Sequence, residues 1–124
     1  MTLTALALAL AGCEGGTKLD LVPDALVGTW TTDAPAYEER ALEIFGDGLV
    51  IWAEGLMIES HVLRTIRRWD RGSRTTYRFE YLDSDGDLTD FEFDFQEAEG
   101  VIRIRNQSDV AWRKTGPPST DVVG

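Results

Sequence analysis

The sequence predicts an all-β domain, an antiparallel up-and-down meander of about eight short strands, and three observations carry that prediction. Turn signals rich in Gly and Asp recur at short intervals from Leu26 onward. Between several of them apolar and charged residues alternate, as in a strand with one buried face. The 124 residues, of which 43% are hydrophobic, are enough for the core of one domain. Such a meander closes into a barrel or folds as a sandwich.

Turn signals divide the chain into eight candidate strands. The signals lie at residues 46–48, 71–73, 85–87, 99–100 and 106–109. The strands are, in order, residues 26–31, 41–45, 49–53, 58–69, 75–82, 88–96, 101–105 and 110–114. Apolar residues also recur at helical spacing within 58–69, at Ile58, Val62, Ile66 and Trp69, which leaves a helix open there. We expect a strand, because the rest of the domain is a series of hairpins.

The alternation is clearest between residues 75 and 105. One face is apolar there, with Tyr77, Phe79, Tyr81, Phe91, Phe93, Phe95, Ile102 and Ile104. A two-residue turn at Asp85-Gly86 would place Tyr81 opposite Asp90, an aromatic ring against a carboxylate. We therefore predict an odd-length loop with a bulge, centred on Gly86, that pairs Tyr81 with Phe91.

This register also predicts neighbours for the other residues of the three strands. The pairs are Phe79 with Phe93, Tyr77 with Phe95, Phe95 with Ile102, Phe93 with Ile104, Asp94 with both Arg78 and Arg103, and Glu92 with Arg105. Cross-strand pairs of opposite charge contribute about 0.2–1 kcal/mol each. We therefore expect much of the charge on the outer face to stabilise the sheet through these pairs.

The charge and the cysteine content exclude several classes of function. The net charge is −10, from 12 Lys and Arg against 22 Asp and Glu. A surface of that sign repels a phosphate backbone, which argues against general nucleic-acid binding. A single Cys cannot form an internal disulfide, and the sequence has no Cys/His cluster for zinc or iron–sulfur. We expect no cofactor.

The N-terminal residues form a targeting segment rather than part of the fold. Residues 1–12 are uncharged and apolar, but shorter than the roughly 20 residues of a spanning helix. Leu10-Ala11-Gly12-Cys13 resembles the lipobox of bacterial lipoproteins. The resemblance implies a signal peptide over 1–12, with a basic stretch missing upstream, and lipidation of Cys13. It also implies that the protein is anchored in a membrane of the bacterial cell envelope, and Glu14 favours the outer membrane over the inner.

The rest of the chain divides by composition. Residues 13–25 contain the lipidated Cys and a tether, in which two glycines and a proline argue against regular structure. We expect residues 26–116 to contain the β domain and residues 117–124 to be a disordered tail.

The β domain resembles the lipocalin-like, or calycin-like, proteins. Gly28 and Trp30 match the Gly-x-Trp of their first strand, and residues 42–48 are similar to the strand and turn that follow it in small bacterial members. The resemblance implies a closed or partly closed barrel that holds one small ligand. It also implies that a basic residue of the last strand packs over Trp30, and Arg113 is the matching candidate.

Two motifs could have a catalytic or metal-binding role, but we interpret both as structural. His61 is the only His, and no nucleophile motif surrounds a Ser, so we expect a binding protein and not an enzyme. Four carboxylates, Asp83, Asp85, Asp87 and Asp90, are oxygen ligands of the kind that Ca²⁺ takes. Their spacing does not fit an EF-hand loop, because Leu88 stands at the sixth position where that loop needs Gly. A solvated hairpin tip is the stronger interpretation, and the metal site a weak candidate.

Charge is segregated along the chain, which leaves a second function open. Basic residues cluster at Arg64, Arg67, Arg68, Arg71 and Arg74, and residues 80–99 hold nine acids and no base. The Arg cluster is a candidate interaction patch for an acidic glycan, a lipid headgroup or an envelope protein; alternatively, the basic strands pair with the acidic one. Large rings, including Trp112, fill most of the interior in this prediction. We therefore expect a small hydrophobic ligand and not a bulky lipid, with a protein-interaction or scaffold module as the alternative.

Overall fold

A computed structural model describes residues 15–118, which form an all-β domain. Its strands are β1 Thr17–Leu19, β2 Gly28–Thr31, β3 Arg40–Ile44, β4 Gly48–Ala53, β5 Leu56–Val62, β6 Thr65–Arg71, β7 Arg74–Leu82, β8 Leu88–Gln96, β9 Val101–Ile104 and β10 Trp112–Gly116. A short 3-10 helix, Arg105–Gln107, follows β9. All ten strands belong to one antiparallel sheet in the order β1-β6-β7-β8-β9-β10-β2-β3-β4-β5. The predicted antiparallel meander is confirmed.

The hydrogen-bonded sheet is open, with β1 and β5 at its edges. The edge strand β5 nevertheless contacts β7, the third strand from the other edge. The ring of His61 on β5 stacks on that of Tyr81 on β7, with 4.0 Å between the centroids. The strand count is ten and not about eight, because one predicted strand is divided and a further strand forms in the tether.

The division falls inside the predicted strand 58–69. Its first half belongs to β5 and pairs with β4, and its second half belongs to β6 and pairs with β7. Between them the Leu63 amide donates to the Asp47 carbonyl at 2.9 Å, and the Arg64 amide donates to the Glu80 carbonyl at 2.7 Å. These bonds hold the chain where it passes from one partner strand to the other. The helical alternative for this segment is wrong.

The tether is more ordered than its glycines and proline predict. β1 pairs with β6, with Lys18 opposite Arg67 and Leu19 opposite Ile66. Gly16 has φ +65°, and a Cβ there would lie 2.6 Å from the Trp69 ring, so this approach needs glycine. The expectation of no regular structure fails here because β6 offers a free hydrogen-bonding edge. Residues 1–14 and the tail from 119 lie outside the described residues.

The core lies on the apolar face that the alternation predicts. Trp30, Phe79 and Phe93 are fully buried, and the Trp30 indole donates to the Leu26 carbonyl at 2.9 Å. The Phe79 and Phe93 rings meet edge to face with 5.1 Å between centroids, and Tyr77 stacks on Phe93 at 5.6 Å. The ring contacts join β7 and β8, the two longest strands. The Trp30 ring joins β2 to β8, because it meets the Phe95 ring edge to face with 6.1 Å between centroids.

The predicted register is correct for one hairpin and displaced on the other. Phe93 pairs with Ile104 and Phe95 with Ile102, as expected. On the preceding hairpin Phe79 pairs with Phe91, and not with Phe93, which is a displacement of two residues. The loop has an odd length, as predicted, but five residues separate β7 from β8 because the Asp83 carboxylate accepts hydrogen bonds from the Asp85 and Asp87 amides, both at 2.9 Å. A shift of two keeps every ring on the correct face.

The displacement changes the partners of the outer charges. Arg78 lies opposite Glu92 and its Nε is 3.0 Å from that carboxylate, so the predicted pairing of Arg78 with Asp94 is wrong. Asp94 instead forms an ion pair with Arg74, at 3.5 Å, and lies opposite Arg103 as predicted. The predicted pair of Glu92 with Arg105 forms an ion pair.

Replacing Phe93 with Ala tests the core. We expect Phe93→Ala to lower the free energy of unfolding by about 3–5 kcal/mol, because it leaves a cavity among rings that cannot collapse. Phe91→Ala is the matched control on the same strand; its ring is half-exposed, and we expect a loss under about 2 kcal/mol. Urea unfolding of both variants measures the difference. Equal losses would contradict this account of the core.

Candidate functional site

A concave site, here called the cup, lies at one end of the sheet. It is formed where β3 and β10 begin, where β9 ends in the 3-10 helix, and by parts of β4, β5 and β8. Its volume is about 380 Å³, which is within the range of sites for small ligands. Six large apolar or aromatic side chains form its wall: Tyr37, Leu42, Ile51, Phe91, Ile104 and Trp112.

The alternation of the strands places these side chains in the cup. Leu42 on β3 lies opposite Ile51 on β4, so both point to the inner face. Trp112 begins β10, and its ring centroid is 6.2 Å from that of Tyr37, which the loop between β2 and β3 supplies. The Trp112 indole donates to Gln107 Oε1 at 3.4 Å. The cup is therefore an extension of the core that the sheet does not fill at this end.

Charged side chains surround the apolar wall. They are Arg40, Glu59, Asp90, Glu92 and Arg105. Arg105 forms an ion pair with Glu92, and Glu59 lies 2.8 Å from the His61 Nε2. Arg40 forms no ion pair within residues 15–118, and its guanidinium lies over the Tyr37 ring, 5.8 Å from the centroid. The cup can thus hold an apolar body and offers a guanidinium to a polar end.

Sequence reasoning found part of the cup. It placed Phe91 and Trp112 on the apolar face, but assigned them to filling the interior, whereas both line the cavity. The sequence paired Arg105 with Glu92 but did not place it at a cavity, and Tyr37 and Arg40 carried no recognisable signal. They belong to a loop and a strand end that come together only because β10 pairs with β2.

His61 is held by a ring contact and a carboxylate. Its side chain is 10% exposed and stacks on Tyr81, and Glu59 is its hydrogen-bond partner. Within the described chain, no Ser or Thr hydroxyl is bonded to the ring, so the nucleophile–base contact of a Ser/His/Asp site is not formed there.

Three of the four acidic residues of the β7–β8 loop come together. Carboxylate oxygens of Asp83, Asp85 and Asp87 lie within 4.8 Å of one another, whereas Asp90 is on β8 at the cup. Asp83 caps the loop: two backbone amides and the Thr89 hydroxyl donate to it, and these hydrogen bonds hold its pKa below the ordinary value. The Asp83 carboxylate therefore has a structural role in the loop.

The five residues of the Arg cluster are distributed over two faces. Arg67, Arg71 and Arg74 point to the outer face, Arg68 points inward to Tyr77, and Arg64 is exposed in the link between β5 and β6. The Arg67 Nη1 donates to the Gly15 carbonyl at 3.0 Å, and the Arg71 Nε donates to the Thr76 hydroxyl at 2.9 Å. The cluster is contiguous in sequence but only partly contiguous in space.

The Gly-x-Trp residues lie where β2 pairs with β10. A Cβ on Gly28 would come within 2.9 Å of the Gly116 carbonyl, so glycine lets the bulged end of β10 approach. The cation over the Trp30 ring is Lys114, at 5.6 Å, and not Arg113. The register explains the difference, because Lys114 lies opposite Trp30 whereas Arg113 lies opposite Thr31 and donates to the Glu99 carbonyl.

Comparison with protein-family models, curated proteins and solved structures found no match to this chain. Cys13 lies outside the described residues. Among residues 15–118, no helix is long and apolar enough to cross a membrane. Any assignment of function to the domain therefore rests on its geometry.

Tyr81, beside the cup, gives a test by pH. Burial raises the pKa of its hydroxyl above the ordinary 10.0, and the carboxylates of Glu59, Asp83 and Asp90 raise it further. A group whose pKa is higher in the folded state stabilises the fold at pH values below its pKa in the unfolded chain. This stability is lost as the pH rises through the pKa of the folded state. We expect Tyr81→Phe to lose less stability than wild type between pH about 9 and about 12. Urea unfolding across this range measures it, and identical pH profiles would contradict the burial of this hydroxyl.

Proposed function

We propose that the protein is a lipid-anchored protein of the bacterial envelope whose lipocalin-like domain binds one small, mainly apolar ligand. It acts by binding and not by catalysis. The observation that carries this proposal is the cup, a cavity of about 380 Å³ with an aromatic and aliphatic wall and a charged rim. Sites of this composition bind ligands by burying apolar area, while a few polar groups orient the ligand.

The sheet supports the lipocalin-like part of the proposal. β5 and β6 follow each other with only Leu63 and Arg64 between them, and act as one long bent strand. Its first half pairs with β4 and its second half with β7, while β10 pairs with β2. Counted in this way, the strands from β2 to β10 follow one another around a ring of eight. We propose that this ring is the barrel, with its seam at the bend.

The lining of the cup favours an amphipathic ligand. The six wall residues exclude a strongly polar body, and the volume excludes a bulky lipid. Glu92 neutralises Arg105 within the rim, whereas Arg40 offers guanidinium donors without a carboxylate partner in the described chain. A ligand with an anionic or hydrogen-bond-accepting end beside Arg40 and an aromatic or aliphatic body against Trp112 matches this arrangement.

The anchor rests on Cys13. One acyl chain holds a protein to a membrane only weakly, whereas two or more give stable anchoring, since each buried methylene contributes about 0.8 kcal/mol. A triacylated or diacylated N-terminal Cys would satisfy that requirement.

Filling the cup tests the ligand site. We expect Ile51→Trp to weaken binding of anilinonaphthalene sulfonate, an apolar fluorophore with one anionic group, about tenfold or more, because the indole occupies the space between the cup walls. Fluorescence titration of the full chain in detergent below its micelle concentration measures this affinity.

The matched control is Ile58→Trp, the same substitution at an exposed position of β5. It leaves the cup unchanged, and we expect the affinity of wild type. Cooperative thermal unfolding of both variants shows that the fluorophore is not reporting a loosened core. Equal binding by wild type and Ile51→Trp would overturn the cup as the site.

Metabolic labelling tests the anchor separately. Cells that express the chain in the presence of a labelled fatty acid should incorporate label into wild type, and Cys13→Ser should incorporate none, because Cys13 is the only thiol in the sequence. Membrane fractionation in high salt, which weakens any charge-based attachment, should recover the variant in the soluble fraction. Wild type without label would overturn the lipid anchor, whatever the outcome at the cup.

A further inference from the structure

The outer surface of β1, β6 and β7 is basic although the chain carries −10. The alternation of these strands places five cations on one face, here called the basic face: Lys18, Arg67, Arg71, Arg74 and Arg78. The register sets Lys18 beside Arg67 and Arg67 beside Arg78, so like charges stand next to each other across three strands. Glu80 is the carboxylate that these strands contribute to the same face.

Carboxylates of β8 neutralise only part of this charge. Arg78 pairs with Glu92 at 3.0 Å, and Arg74 with Asp94 at 3.5 Å. Lys18, Arg67 and Arg71 form no ion pair within residues 15–118. Lys18 and Arg67 lie side by side and repel each other, and neither has an acidic partner in the described chain. Such an excess of unpaired positive charge is typical of a surface that binds an anionic partner.

The N-terminal segment approaches the domain on this same face. The Gly15 carbonyl accepts from Arg67 Nη1 at 3.0 Å, and Gly16 packs against the Trp69 ring. Cys13 precedes Gly15 by two residues, so the covalent chain limits their Cα atoms to about 7 Å apart. An acyl group on Cys13 therefore brings the bilayer surface close to Lys18 and Arg67.

We propose that the basic face docks on the anionic phospholipid headgroups of the membrane in which Cys13 is anchored. This inference rests on the proposed anchor for its location and on the charge of the face for its partner. The guanidiniums of Arg67 and Arg71 each use one nitrogen in the bonds described, which leaves further N–H groups for phosphate oxygens. The docked face is a second attachment to the membrane, beside the acyl chains.

The acidic balance of the whole chain does not oppose this docking. Charges are screened over about 8 Å at physiological ionic strength, so the membrane acts on the residues of the face it touches. The cup lies at the end of β8 opposite to the β6–β7 hairpin, where Arg71 and Arg74 stand. The three cations without an ion pair in the described chain, Lys18, Arg67 and Arg71, do not line the cup.

Vesicle binding by the full chain with Cys13→Ser isolates the face from the acyl chains. The probes are vesicles of equal parts phosphatidylglycerol and phosphatidylcholine, and vesicles of phosphatidylcholine alone. We expect binding to the anionic vesicles only, weakened by salt. Each basic residue near an anionic surface contributes about fivefold in affinity. Adding Lys18→Gln and Arg71→Gln should therefore lower the affinity for these vesicles, measured by sedimentation, about 25-fold.

The matched control adds Arg103→Gln and Arg113→Gln to the same Cys13→Ser chain. These arginines lie on β9 and β10, outside the basic face, and donate to the Ser108 and Glu99 carbonyls in the connecting loops. Their loss changes the net charge equally. We expect this control to bind the anionic vesicles as the parent does. Lys18→Glu alone is a second variant; its exposed side chain makes no described contact that folding needs, and we expect about 25-fold weaker binding.

Three outcomes would overturn the docking: no binding to anionic vesicles, equal binding to both vesicle types, or equal losses in the two double variants. An acidic peptide or polyphosphate that binds the face while vesicles do not would also overturn it, in favour of another partner. The fatty-acid label on wild type reports the anchor independently. Label without vesicle binding would reject the basic face and keep the anchor.

Discussion

The pairing of β10 with β2 holds the domain together, because it joins two meanders that are otherwise local. Strands β2 to β5 and strands β6 to β10 each form by hairpins between neighbours in sequence, and β10 returns across the whole domain to reach β2. That return requires Gly28, where a Cβ would meet the Gly116 carbonyl, and it is covered by Lys114 over the Trp30 ring. Closing so long a loop costs entropy, which the burial of Trp30 and its neighbours offsets.

The cup is a consequence of that pairing. The loop that contributes Tyr37 follows β2, and Trp112 begins β10, so the two rings meet only once these strands are neighbours. The large rings of β7 and β8 fill the middle of the domain, and Phe93 is in contact with both Phe79 and Tyr77. The end beyond Phe91 is left with a cavity. The interior therefore divides into a packed part that supplies stability and a hollow part, the cup, which is the proposed ligand site.

Charged side chains are distributed unevenly along the sheet. Glu92 on β8 forms ion pairs with Arg78 on β7 and with Arg105, which directly follows β9. Further along the same sheet, β6 and β1 have no acidic neighbour strand, and Lys18 and Arg67 stand together. The asymmetry follows from strand order, since the acidic strand can neutralise only the strands beside it. It gives an acidic protein one basic face, at the place where its N-terminal segment enters.

The sequence by itself determined the class of fold, because side-chain alternation reports a strand whatever its partner, and the rings from Tyr77 to Ile104 show one face without ambiguity. It also determined the pairing of Phe93 with Ile104 and the odd parity of the loop at Gly86, since a wrong parity would bury carboxylates. Tertiary structure alone decided the two-residue displacement of that hairpin, which the capping by Asp83 sets, and the choice of Lys114 over Arg113 at Trp30. It also decided that part of the predicted tether forms strand β1 on the edge of β6, and that the cup exists. Each of these depends on which strand edges and loop ends come into contact across the fold, and no local pattern of residues encodes that contact.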